Sequence, residues 1–226
     1  MATMSIYFPE DLIQVLQIPV GRIVLTGNLN VPGHAKSLII FAHGSGSSRF
    51  SPRNNFVAQQ FHKKHMGTFL VDLLTPQEDT IYANRFNIDL LTERLIKITQ
   101  WLNSFSQTKK LPIGYFGAST GAASALRAAA ALPGLIDAVV SRGGRPDLAL
   151  QILDKVKAPT LLIVGELDPD VLRWNEKAFD ALTCEKKLSV VANATHLFEE
   201  PGALEDVSIL SEEWFERHLN VKVKNK

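Results

Sequence analysis

The sequence predicts an α/β fold: a mostly parallel, twisted sheet of about eight strands, helices on both faces, an N-terminal antiparallel hairpin and no lid domain. Three observations predict it. Buried-strand runs alternate with helix-spaced segments along most of the chain, which implies parallel strands joined by crossovers. Ser37 to Ala42 is a continuous apolar run, of the kind buried on both faces of a parallel sheet. The loops of unusual composition all fall at the ends of such runs, where ligands sit in parallel sheets.

In order, Asp11 to Val20 and Arg22 to Leu29 flank Gly21 as two β-rich runs and read as the hairpin. Ser37 to Ala42 is a strand that ends in His43-Gly-Ser-Gly-Ser-Ser-Arg49. Asn54 to His65 has helical spacing, with Phe56, Val57 and Phe61 on one side. Gly67 to Leu74 is a strand. Phe86 to Phe105 is the most periodic helix, with Ile88, Leu91, Leu95, Ile98 and Leu102 three and four residues apart. Ile113 to Phe116 is a buried strand, and the Ala-rich run from Ala122 to Ala131 a helix. Leu135 to Ser141 and Pro159 to Val164 are strands, separated by Arg142-Gly-Gly-Arg-Pro146 and a short helix to Leu153. Val171 to Leu182 is a helix, Leu188 to Val191 a strand, and Ala203 to His218 the closing helix.

The 226 residues suit one large domain, read as 1–226, with no repeat or linker to divide them. A net charge of +1 gives no electrostatic footprint for a nucleic acid or a membrane surface. The basic tail Lys222 to Lys226 reads as solvated. One cysteine, Cys184, leaves no internal disulfide and no multi-cysteine metal site, which fits a reducing compartment. The first ten residues lack a basic segment followed by an apolar core, so no signal peptide is expected. No apolar run approaches the roughly 20 residues that span a bilayer. The expectation is a cytoplasmic protein, monomer or homodimer, with no metal and no cofactor.

Strand, Gly117-Ala-Ser-Thr-Gly121, helix is the context of a nucleophile elbow. Small residues flank the serine because a side chain there would meet neighbouring backbone. The helix N-terminus just after Ser119 brings free N–H groups and partial positive charge to where an oxyanion would form. Ser119, Asp168 and His196 follow in that order, each just after a predicted strand. A serine hydroxyl needs a base within hydrogen-bond reach, and histidine titrates near neutrality. The acid orients the imidazole. Asp168 is the first choice of acid, with Asp170 and Glu166 as alternatives; Asp170 suits the helix cap better. His34, His62, His65 and His218 read as surface residues, and His43 as holding its loop.

The backbone N–H of Thr120 and that of Ser45 are the expected oxyanion donors, with Gly44 as the fallback for the second. Arg142 and Arg145 are candidates for binding a substrate carboxylate, against a loop-pinning or solvent-facing reading. Trp174 reads as core rather than pocket. Gly117 to Gly121 is no phosphate loop, because no Lys-Ser/Thr follows.

Phe41-Ala-His-Gly-Ser-Gly-Ser-Ser48, Gly114-Tyr-Phe-Gly-Ala-Ser-Thr-Gly121, Gly165-Glu-Leu-Asp-Pro-Asp-Val171 and Thr195-His196 resemble the small, lidless dienelactone-hydrolase-like branch of the α/β-hydrolase fold. The resemblance covers nearly the whole chain and supports Asp168 as the acid. Dienelactone hydrolase proper has a cysteine nucleophile, and here the position is Ser119. The resemblance therefore implies a serine hydrolase acting on a carboxylic ester or related acyl bond, and the missing lid suggests a small, soluble ester or lactone as its substrate. Thioester or peptide hydrolysis with the same residues, and a non-catalytic binding protein on this scaffold, are the alternatives.

Overall fold

The computed structural model describes residues 10–219. The stretch before Glu10, read above for a leader, and the tail Lys222–Lys226 lie outside the described residues. Eight strands form one sheet: β1 (Leu12–Val20), β2 (Ile23–Val31), β3 (Ser37–Ala42), β4 (Met66–Val71), β5 (Ile113–Ala118), β6 (Ile136–Arg142), β7 (Thr160–Gly165) and β8 (Lys186–Val191). Their spatial order is β1-β2-β4-β3-β5-β6-β7-β8. The hairpin β1–β2 is antiparallel and joins β4 antiparallel, and every pair from β4 through β8 is parallel.

The unbroken apolar runs follow from two-sided burial. All six residues of β3 are buried. Leu38, Ile40 and Ala42 enter one core, and Ile39 and Phe41 the other, because successive side chains point to opposite faces. Helices α1 (Pro52–Lys63) and α6 (Ala203–His218) cover the Phe41 side through Val57, Phe61, Val207 and Phe215. Helices α3 (Ile88–Ser104), α4 (Thr120–Ala131) and α5 (Pro169–Ala181) cover the Ile40 side, with a 3-10 run at Pro146–Lys155 where the sequence predicted a short helix.

The predicted helix from Phe86 begins later. Asn87 caps α3 by accepting from the Leu90 N–H at 3.1 Å, and Tyr82–Phe86 forms a separate 3-10 turn. The stretch before it carries a short helix, α2 (Pro76–Asp79), that the sequence reading left unassigned. Thr75 and Glu78 close a capping box there. Burial pushes the Glu78 carboxyl up, but the Thr75 N–H and the Arg94 guanidinium together hold it below its usual range. Arg94 binds Glu78 at 2.8 Å and Arg85 binds Asp79 at 2.9 Å, so this strap is tied to α3.

Two of the four histidines read as surface residues depart from that reading. His62 is half-buried with its Nε2 2.8 Å from the Thr68 hydroxyl. His218 is half-buried against Trp214, ring centres 4.4 Å apart. His65 is exposed, but it follows α1 rather than lying on a helix face, and its Nδ1 meets the Gly33 carbonyl. Among the described residues no helix is long and apolar enough to cross a membrane, and no cluster of His, Cys, Asp or Glu could hold a metal ion.

Candidate active site

The site lies beyond the carboxyl ends of β3, β5, β6, β7 and β8. At the end of β5 the chain turns directly into α4. Ser119 sits on that turn with φ 51° and ψ −123°, a positive φ that a residue bearing a side chain rarely adopts. The flanking glycines make the turn possible. A Cβ on Gly121 would stand 2.1 Å from the Ala42 carbonyl oxygen, and one on Gly117 2.5 Å from the Ala122 Cα. The elbow is held from β6 as well: the Ser119 N–H donates to the Arg142 carbonyl, and the Arg145 N–H to the Ser119 carbonyl.

Two neighbouring loops bring up the other groups. The loop after β7 carries Asp168 and the loop after β8 carries His196. The Leu167 N–H donates to the Ala194 carbonyl at 2.9 Å, and the Glu166 carboxylate accepts from the Asn193 N–H at 2.8 Å. Glu166, a candidate acid in the sequence, is thus a clamp between these loops. Asp170 lies within the first turn of α5 and pairs with Arg173, so it is not the cap. The helix begins at Pro169, which makes Asp168 the boundary residue, yet its side chain caps nothing. It turns to His196 instead.

His196 Nδ1 is 2.7 Å from Asp168 Oδ2, and His196 Nε2 is 3.4 Å from Ser119 Oγ. A carboxylate only accepts, so Nδ1 carries the hydrogen and Nε2 presents its lone pair to the hydroxyl. The structure brings these three side chains, 77 residues apart in sequence at the widest, into one chain of contacts.

Thr120 opens α4, where its N–H has no partner within the helix. Gly44 touches the elbow: a Cβ there would lie 3.0 Å from Ser119 Cβ. The Ser45 N–H donates to the Thr120 hydroxyl at 2.9 Å. The peptide between Gly44 and Ser45 is held on its other side too, since His43 Nδ1 donates to the Gly44 carbonyl at 2.9 Å. That agrees with His43 as a loop-holding residue.

The two arginines separate. Arg145 pairs with Asp147 at 2.8 Å and lies 4.1 Å over the Trp174 ring, which makes Trp174 a half-buried stacking partner rather than core. Arg142, only 6% exposed, lines a cavity of about 270 Å³ with Ser119, His196, Gly44, Ser45, Arg53 and Asn54. Burial first, and the neighbouring Arg53 second, pull its pKa down to about 10. Sequence reasoning missed Arg53 and Asn54. Their only signal was a helix start at Ser51-Pro52, which says nothing of what the helix end faces.

A strained serine elbow, an imidazole and a carboxylate at the strand ends of a mostly parallel sheet define the class, an α/β hydrolase. A model described as the Dienelactone hydrolase family matches residues 73–220. The chain belongs to that family. It is similar to a crystal structure of dienelactone hydrolase from Anabaena variabilis, with 48% identity, a TM-score of 0.90, and coverage of 93% of this chain and 100% of that one. An esterase of Pyrococcus furiosus shares the fold alone, at 17% identity and TM-score 0.74, covering 93% of this chain and 92% of that one. A putative phosphoribosyl transferase of Mycobacterium tuberculosis H37Rv is 51% identical over 204 residues. These cover 90% of this chain and 46% of the relative, so the chain spans about half the length of the curated relatives it matches.

Proposed function

We propose that the protein hydrolyses small, soluble carboxylic esters or lactones through an acyl-enzyme on Ser119. The carrying observation is the contact chain Asp168–His196–Ser119, at 2.7 and 3.4 Å. Ser119 Oγ attacks the carbonyl carbon and its proton passes to His196 Nε2. Asp168 stabilises the imidazolium. The tetrahedral intermediate then expels the alcohol oxygen, which takes the proton back from His196. Water, activated by His196, attacks the acyl-enzyme and releases the acid, restoring Ser119.

The Thr120 N–H holds the oxyanion together with a second donor. Ser45 supplies it by exchanging the Thr120 hydroxyl for the oxyanion, and the Gly44 N–H is the alternative. Neither step needs a metal or cofactor. Among the described residues no helical insertion covers the strand ends, which favours a soluble substrate. The longer mycobacterial relatives carry the name of a putative phosphoribosyl transferase, but the Asp168–His196–Ser119 contacts favour hydrolysis.

Labelling by a fluorophosphonate probe tests the proposal. Ser119 should take the label and Ser119→Ala should not. Equal labelling of the two proteins removes Ser119 from the role.

A further inference from the structure

Arg142 stands at the end of β6, in register with Ala118 and one residue from the elbow. It is a buried cation, and no carboxylate pairs with it among the described residues. Its Nε has no hydrogen-bond partner, and Nη2 reaches a single amide oxygen, Asn54 Oδ1, at 3.3 Å. The Phe198 ring lies 5.7 Å away. A buried charge is costly unless it is paired and hydrogen-bonded. A guanidinium has five N–H groups, so most of the donating capacity of Arg142 is unspent.

The rest of the cavity wall has the same sign. Arg53 lines it, with its own Nε buried and without a partner. The carboxylate that Arg53 does touch, Glu199, is 60% exposed and is not part of the lining. The first turn of α1 contributes Ser51, Arg53 and Asn54, which places the positive end of a 12-residue helix dipole at this wall. Among the described residues no Asp or Glu lines the cavity. The cavity on the other side of the 43–51 loop, about 230 Å³, differs: its Arg49 is paired with Asp72, and Asp79 also lines it.

We propose that the cavity beside Ser119 holds a dianionic phosphate or phosphonate group of the substrate, gripped by Arg142 and Arg53 at the N-terminus of α1. The proposal rests on the reading of Ser119 as nucleophile only in calling that group part of the substrate. Two guanidinium groups converging on one cavity repel each other, and Arg53 adds that repulsion to the larger effect of burial on Arg142. A dianion relieves it more fully than a carboxylate does. Guanidinium groups also match phosphate oxygens two at a time.

Two measurements test it separately from the hydrolase reading. In the first, Ser119→Ala is titrated calorimetrically with inorganic phosphate and with acetate. Phosphate should bind at least about tenfold more tightly. Adding Arg142→Met or Arg53→Met should weaken phosphate about tenfold, the size expected for losing a charged hydrogen-bonding partner. Adding Arg145→Met should leave it unchanged. If Arg142→Met does not fold, Arg53→Met decides alone, because the Arg53 side chain is nearly a third exposed. Acetate binding as tightly as phosphate, or phosphate binding that survives both substitutions, overturns the proposal.

The second measurement uses p-nitrophenyl esters of one acyl chain length ending in phosphonate, carboxylate or methyl. The phosphonate ester should have the highest kcat/KM, by about tenfold and through a lower KM. Ser119-dependent turnover without that preference overturns the dianion and leaves the hydrolase intact. No turnover and no probe labelling overturns the hydrolase, and the phosphate titration then still decides the cavity.

Discussion

The two walls of the cleft are built differently. On one wall Asp168, His196 and Ser119 each face a partner within the protein. On the other, Arg142 is buried and keeps donors unused. Internally satisfied polar groups are set up to pass a proton among themselves. An unsatisfied buried charge is set up for a group that arrives from outside. The same contrast separates Arg142 from Arg145, three residues apart: one is spent on Asp147 and Trp174, the other is not.

The first wall should break most completely at Ser119, the proposed nucleophile. Ser119→Ala should lower kcat by about 10⁴–10⁶, for charged and neutral esters alike. A loss confined to one substrate class would mean that the serine only binds. Asp168→Asn should cost about 10⁴, by leaving the imidazole in the wrong tautomer. Asp170→Asn, made on the exposed turn beside it, should stay within about twofold, since a surface pair is worth less than about 1 kcal/mol. Equal losses in the two would return the acid to an open question.

Backbone geometry comes next. Gly121→Ala drives a Cβ into the Ala42 carbonyl oxygen. It should cost about 2–3 kcal/mol, lowering Tm by roughly 5–10 °C in a chain of this size. Arg145→Met should cost about 1 kcal/mol and leave kcat/KM alone, because its ion pair and stack are only half-buried and lie outside the cavity lining. A change in charge preference on Arg145→Met would erase the distinction between the arginines.

The smallest effect concerns His62, far from both walls. Burial holds its pKa below 6.5 in the folded protein. As pH falls through 6.5 the unfolded chain binds more protons than the folded one, so this residue lowers stability on the acid side and has no such effect above. His62→Gln should flatten the decline of Tm between about pH 6.5 and 5. An unchanged slope would assign the acid sensitivity elsewhere.

Much of this was legible in one dimension. β3 and β5 read as buried strands because two-sided burial leaves an unbroken apolar run, and the glycines at 117 and 121 announced a tight strand-to-helix turn. The order of serine, acid and histidine was legible because each follows a strand that must end at the same edge. The choice among Glu166, Asp168 and Asp170 was legible only as a preference for Asp168, since all three are carboxylates in one loop and only their directions differ. Nor could sequence separate Arg142 from Arg145 or reveal Arg53 and Asn54 opposite them, because that wall is assembled by packing α1 across the end of β6.

Sequence alone therefore determined the layers, the strand ends and the chemistry available there, since hydrophobic periodicity and turn residues are local properties of the chain. The tertiary structure decided which carboxylate meets the imidazole, which N–H is already engaged, and which guanidinium is left without a partner. Those are matters of direction and desolvation, and both depend on residues far away along the chain.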